Sequence, residues 1–286
     1  MPTQLLSSLF ERYVPISSRI WKSIEALDEG QSEDGFDPFG FEPIFLRYIL
    51  PFCDWLYQVY FDVEAVGLEN IPDSGPVLLI SNHSGQIPMD GMLIGIACLL
   101  DKKQPRMIRG MVERWIPDLP FVSWFFARTG QVVGTRENAR LLLRRGGCLL
   151  VFPEGVKGIS KTYDRAYQLE QFGLGFMRLA LETGTPIVPV GVIGGEEQYP
   201  AIANLEGIAK LAGAPAFPIT PTWPTLGPLG GLPLPVKYRL HFGEPMHFHG
   251  DPDDEDRIIR AHVEEVTDAI ESLLEQGLDE RAGVFI

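Results

Sequence analysis

The apolar and polar positions of the chain change period near residue 62. Before it, Phe41, Ile44, Phe45, Tyr48, Ile49, Phe52, Trp55, Leu56, Val59 and Tyr60 recur at helical spacing, with Glu42, Arg47, Asp54 and Gln58 off the stripe. An aromatic-rich amphipathic helix is expected there. Leu5, Leu6, Leu9, Ile16, Ile20, Trp21, Ile24 and Leu27 repeat the pattern, broken by Pro15. Between the two, the acidic, glycine-containing stretch from Glu25 to Gly40 reads as a loop. These residues form an N-terminal helical region, 1–62. Its aromatic faces suit either an interfacial site on a membrane or packing on the rest of the protein.

After residue 62, short apolar runs bounded by turn residues take over. Pro76 to Ile80, Gly130 to Thr135, Gly146 to Phe152, Thr185 to Val192 and Val236 to Phe242 read as strands. Gly91 to Leu100 is apolar enough for a buried helix, Glu137 to Arg145 is a polar one, and about Asp254 to Gln276 carries a stripe of Ile259, Val263, Val266, Ile270 and Leu273. Strands alternating with helices predict an α/β fold over residues 63–286, with a central mixed β-sheet flanked by helices. Gly227 to Pro235 is too rich in proline and glycine for a helix interior and reads as a shaped loop.

Composition narrows the class. With 286 residues and 45% apolar content, one α/β domain with an appendage is the natural count. Cys53, Cys98 and Cys148 are odd in number and lie in apolar settings, which suits reduced thiols and a cytosolic compartment. The first ten residues lack a basic region followed by an apolar core, so no secretory leader is expected. No window holds eighteen uninterrupted apolar residues, so no spanning helix is expected either. The net charge is −14, yet between Lys102 and Arg178 there are 14 Lys and Arg against 6 Asp and Glu. This basic island, including Arg106, Arg109, Arg114, Arg128, Arg136, Lys157, Lys161 and Arg165, suits the phosphates of a small ligand. Arg140, Arg144 and Arg145 within it also fit the solvated face of a helix. The acidic remainder and the lack of an aromatic-basic repeat argue against nucleic acid.

The candidate chemistry sits where strands end. His83 follows the run Val77 to Ile80 and precedes the helix, with Asp90 seven positions on. An imidazole oriented by a carboxylate is a ready general base. No G-x-S-x-G elbow or polar cysteine supplies a nucleophile. Phe152-Pro153-Glu154-Gly155 puts Glu154 at the carboxyl end of a buried strand, where open α/β sheets bind ligands. Gly130 to Thr135 delivers Arg136 to a similar junction. His247 and His249 lack a third ligand, Gly191 to Gly195 lacks the dinucleotide order, and no Walker motif is present, so no metal or cofactor is expected.

In order and spacing these motifs resemble the glycerolipid acyltransferase superfamily, which comprises the glycerol-3-phosphate and lysophospholipid acyltransferases. The likeness spans roughly residues 63 to 245. It matches His83 and Asp90 to the catalytic pair, Arg136 to the arginine motif, Phe152, Pro153, Glu154 and Gly155 to the third motif, and Ile187-Val188-Pro189-Val190 to the fourth. The family usually has four residues between His and Asp, whereas this chain has six. Phe172 to Phe176 and Pro218 to Pro235 look more like a divergent bacterial branch related to monoacylglycerol and diacylglycerol acyltransferases. The resemblance implies transfer of a fatty acyl group from acyl-CoA or acyl carrier protein, as co-substrate, to a glycerolipid hydroxyl, without an acyl-enzyme. Arg136, Glu154 and Lys157 would hold the acceptor head group, phosphorylated or neutral. The enzyme would be cytoplasmic and peripheral on the inner face of the membrane. A thioesterase, with the same pair activating water, is the rival reading.

Overall fold

The computed structural model describes residues 17–27, 36–83, 89–113, 121–205 and 218–285. The amphipathic stretch up to Ile16, Arg114, much of the acidic loop, and five of the six residues between His83 and Asp90 lie outside the described residues.

Helix α1 (Ser18–Leu27) comes first among these. The aromatic stripe at 41–60 is not one helix: a 3₁₀ segment (Pro43–Tyr48) gives way at Ile49 to α2 (Leu50–Trp55), which ends in a π-helical turn (Leu56–Tyr60). Pro51 in the first turn of α2 has no N–H to continue a preceding helix. The stripe is also two-sided. Leu46, Leu50, Cys53, Leu56 and Tyr57 are buried in the core, whereas Ile44, Phe52, Trp55 and Val59 are exposed.

The remaining elements alternate. They are β1 (Glu64–Val66), β2 (Val77–Ser81), α3 (Met89–Ile96) with a π-helical extension to Asp101, and β3 (Ile108–Val112). Next come α4 (Val122–Arg128), β4 (Val132–Val133), α5 (Arg136–Arg144), β5 (Cys148–Val151), α6 (Val156–Ile159), α7 (Gly175–Thr183), β6 (Ile187–Ile193) and α8 (Gly195–Gln198). A small antiparallel ribbon of β7 (Ala203–Asn204) and β8 (Pro218–Ile219) precedes β9 (Arg239–Phe242) and the long α9 (Asp256–Asp279). The strand expected from Val236 begins only at Arg239, because Val236 makes a lone bridge to Phe285. Gly227–Gly231 forms a short 3₁₀ helix whose Leu229, with the flanking Leu226 and Leu232, is exposed.

Seven strands form one sheet in the order β1-β9-β6-β2-β5-β3-β4. The strands from β6 to β4 are mutually parallel, β9 runs antiparallel to β6, and β1 is parallel to β9, so the sheet is mixed. The central strands are apolar throughout because both faces are covered. Val77, Leu79, Leu150, Val188 and Val190 meet α1, α2 and α3 through residues such as Ile20, Leu50, Leu93 and Ile94. Leu78, Ile80, Leu149 and Ile187 meet α5, α7 and α9 through Leu143, Met177, Val263 and Ile270.

The connectivity decides where a ligand fits. From β2 the chain crosses to β3 on one side, passing β5; from β5 it crosses to β6 on the other side, passing β2. Two neighbouring strands whose connections leave in opposite directions open a crevice at their carboxyl ends. His83 leaves β2 and Glu154 leaves β5 at that crevice.

Candidate active site

The chain emerges from β2 under tight control. The buried Asn82 brackets the backbone of Val192 on β6, its Nδ2 donating to the carbonyl at 3.0 Å and its Oδ1 accepting from the N–H at 2.8 Å. The next residue, His83, is half-buried, and its Nδ1 lies 2.7 Å from Asp90 Oδ2. Asp90 stands in the first turn of α3, fully buried, and its other oxygen accepts the Gly91 N–H at 2.8 Å. The six-residue interval therefore spans the pair without separating it. The His83 ring stacks on Phe152, with centroids 4.2 Å apart and planes 19° from parallel.

Charge around the ring favours its protonated form. Burial pulls the imidazole down, but the charge and hydrogen bond of Asp90, with Glu154 behind it, outweigh burial and the opposing Lys161, so His83 lies above its ordinary value. With Nδ1 engaged by Asp90, Nε2 is the nitrogen left for proton transfer. No cysteine competes as nucleophile: burial pushes Cys53 up to about 11, Cys148 up to about 12, and Cys98 well above its usual range.

The third motif wraps around the same histidine. Glu154 is buried, and its Oε1 accepts the His83 backbone N–H at 2.9 Å while Oε2 accepts the Glu170 N–H at 2.8 Å. Both carboxylate oxygens are thus engaged inside the protein, where the sequence predicts hydroxyl contacts to an acceptor. Gly155 turns the chain with φ of 58°, a conformation that favours glycine. Gly158 on α6 lies against His83: an added Cβ would sit 3.0 Å from the Cβ atoms of Glu154 and His83 and from the His83 carbonyl. Pro153 and Phe152 are half-buried beside them. Lys157 is exposed on the same short helix and borders a shallow depression of about 320 Å³, shared with Ser160, Lys161, Arg165 and Glu170.

Arg136 is placed differently. It is exposed in the first turn of α5, after Thr135 caps the helix by accepting the Asn138 N–H at 3.2 Å. Strand β4, which leads to it, lies three places from β2, or roughly 14 Å at the usual strand spacing. It shares the carboxyl edge of the sheet with His83 and makes no contact with it among the described residues. The fourth motif is the buried strand β6, whose Pro189 is level with Ile80 of β2. Much of the basic island is spent internally. Arg106 donates to the carbonyls of Pro72 at 2.6 Å and Gly75 at 2.8 Å, Arg128 pairs with Glu42 at 2.9 Å, Arg109 reaches Asp37, and Arg140 grips Glu182. Among the described residues no cluster of three His, Cys, Asp or Glu side chains is arranged to hold a metal ion. Gly158 and Glu196 were not singled out by sequence, and Lys161 only as one cation of the island; no spacing rule marks them.

The Acyltransferase family model matches residues 62–193. An uncharacterised protein of Mycobacterium leprae is 37% identical over 246 residues, covering 85% of this chain and 66% of its own. One of Mycobacterium tuberculosis is 37% identical with 68% of its length covered, so the chain spans about two thirds of these mycobacterial relatives. The human DGAT1/2-independent enzyme synthesizing storage lipids is 25% identical over 221 residues, 76% of this chain and 62% of that one. The crystal structure of the 1-acyl-sn-glycerophosphate acyltransferase PlsC from Thermotoga maritima shares the fold, with a TM-score of 0.52 at 19% identity over 98% of this chain and 97% of that chain.

Proposed function

Because the chain belongs to the acyltransferase family, we propose that it moves a fatty acyl group from a thioester, acyl-CoA or acyl carrier protein, to a hydroxyl of a lysophosphatidic acid or another lysophospholipid. The observation that carries this reading is the 2.7 Å contact between His83 and the buried Asp90, at the crevice between β2 and β5. Asp90 accepts the Nδ1–H and leaves the Nε2 lone pair to take the acceptor's hydroxyl proton as that oxygen attacks the thioester carbon. The carbon–sulfur bond then breaks, and the imidazolium returns the proton to the departing thiolate. No acyl-enzyme forms, so donor and acceptor occupy the crevice together. Lys157 on α6, next in sequence to the Gly158 that lies against His83, and Arg136 farther along the same edge supply cations for phosphate groups. The exposed Phe52, Trp55 and Val59 favour docking on a bilayer surface, at its cytoplasmic face; among the described residues no helix is long and apolar enough to cross a membrane.

A second reading, a neutral monoacylglycerol or diacylglycerol acceptor, is favoured by the likeness to the storage-lipid enzyme and by how much of the basic island is paired internally. The deciding experiment gives purified protein labelled acyl-CoA with lysophosphatidic acid, other lysophospholipids, monoacylglycerol or diacylglycerol, alongside His83→Ala. Acylated lysophospholipid from wild type alone supports the first reading. Free fatty acid released at an undiminished rate without any acceptor would make the protein a thioesterase.

A further inference from the structure

Lys161 is the least expected residue near the site. Its side chain is 1% exposed, between Glu154 at 0% and Glu196 at 6%. The ammonium lies 3.5 Å from Glu154 Oε2 and 3.1 Å from Glu196 Oε1, and donates to the Gln168 carbonyl at 3.0 Å. A buried lysine is costly unless paired, and fold stability alone is served as well by apolar packing. The lysine's position relative to the strands suggests what it is for. His83 leaves β2, Glu154 leaves β5, and Glu196 stands on α8 after β6, so the three carboxyl ends of neighbouring strands meet around one cation.

We infer that Lys161 is a positioning residue for acyl transfer, fixing His83 through Glu154; the inference rests on the function proposed above. Glu154 orders two separate segments because each of its oxygens accepts one backbone N–H, from His83 and from Glu170. Only the ionised carboxylate offers both oxygens as acceptors, since protonation converts one into a donor. A buried carboxylate is costly without a cation beside it. Lys161 supplies that cation and keeps the carboxylate in place, and so holds the His83 backbone against the wall made by Gly158. The charged groups facing His83 are Asp90 from α3, Glu154 after β5 and Lys161 after α6, while Glu196 on α8 faces Lys161. Lys161 opposes the imidazolium, so its charge also trims the proton affinity that Asp90 and Glu154 raise.

The test compares Lys161→Met, Lys161→Arg and Glu196→Gln with wild type, measuring kcat, both KM values and thermal stability. Lys161→Met should lower kcat by about 10- to 100-fold with both KM values little changed, as expected for a displaced base. Lys161→Arg should restore most of the rate. If Lys161→Met fails to fold, Glu196→Gln still decides: Lys161 loses one of its two carboxylate anchors, so kcat should fall by roughly threefold or more with both KM values little changed. A variant set that loses thermal stability but keeps kcat unchanged would make the triad merely structural and overturn the inference. A wild type without acyl transfer, or His83→Ala with full activity, would sink the proposed function instead.

Discussion

Asp90→Asn isolates the contact on which the mechanism depends. The amide keeps the shape of a fully buried side chain but removes its charge 2.7 Å from His83 Nδ1. Unit charges about 4 Å apart at an effective dielectric constant near 20 attract by about 4 kcal/mol. That attraction is available to the imidazolium that forms as the acceptor loses its proton. Its loss predicts a fall in kcat on the order of 10³-fold. The pH profile should shift as well. His83 must be neutral to act as base, so wild-type activity rises with pH through an imidazole value that Asp90 holds above the ordinary one. In the variant burial remains while the carboxylate is gone, so the acid limb should move to lower pH. Acceptor-dependent thiol release from acyl-CoA, followed from pH 5 to 9, reads both effects. An Asp90→Asn enzyme within about twofold of wild type, or with its limb unmoved, would refute the base assignment to this pair.

Gly158→Ala should destabilise the fold by about 1–3 kcal/mol in chemical denaturation and lower kcat, because the new methyl meets the Cβ and carbonyl of His83 at 3.0 Å; a variant as stable and active as wild type would show that α6 moves freely. Arg136→Ala should raise KM roughly tenfold for lysophosphatidic acid and leave a monoacylglycerol nearly untouched, whereas equal rises for both would make Arg136 structural. Replacing Phe52 and Trp55, 61% and 47% exposed, with Ser should weaken liposome co-sedimentation by roughly tenfold, about 1.4 kcal/mol, with little change in thermal stability. A large fall in stability with unaltered vesicle binding would assign these aromatics to packing.

Period and covalent adjacency by themselves determined the α/β class, the apolar strands β2, β5 and β6, and the long α9. They also put His83 and Glu154 at strand ends, because a residue that directly follows a strand stays at that strand's end wherever the sheet goes. What they left open depends on neighbours far apart in the chain. The distance between His83 and Asp90 follows from where α3 lies on the sheet, and strand order then makes β2 and β5 adjacent with connections leaving in opposite directions. Glu154 reads from its motif as a ligand for substrate, but the fold brings His83, Glu170 and Lys161 around it and turns it inward. The basic island is visible as a count, yet its partners, Asp37 for Arg109 and Glu182 for Arg140, lie 72 and 42 positions away. A count of charges says nothing about which of them meet. The aromatic stripe at 41–60 is equally plain as a period, but only packing against α3 and the sheet decided that Leu50 and Tyr57 face the core while Phe52 and Trp55 are left exposed.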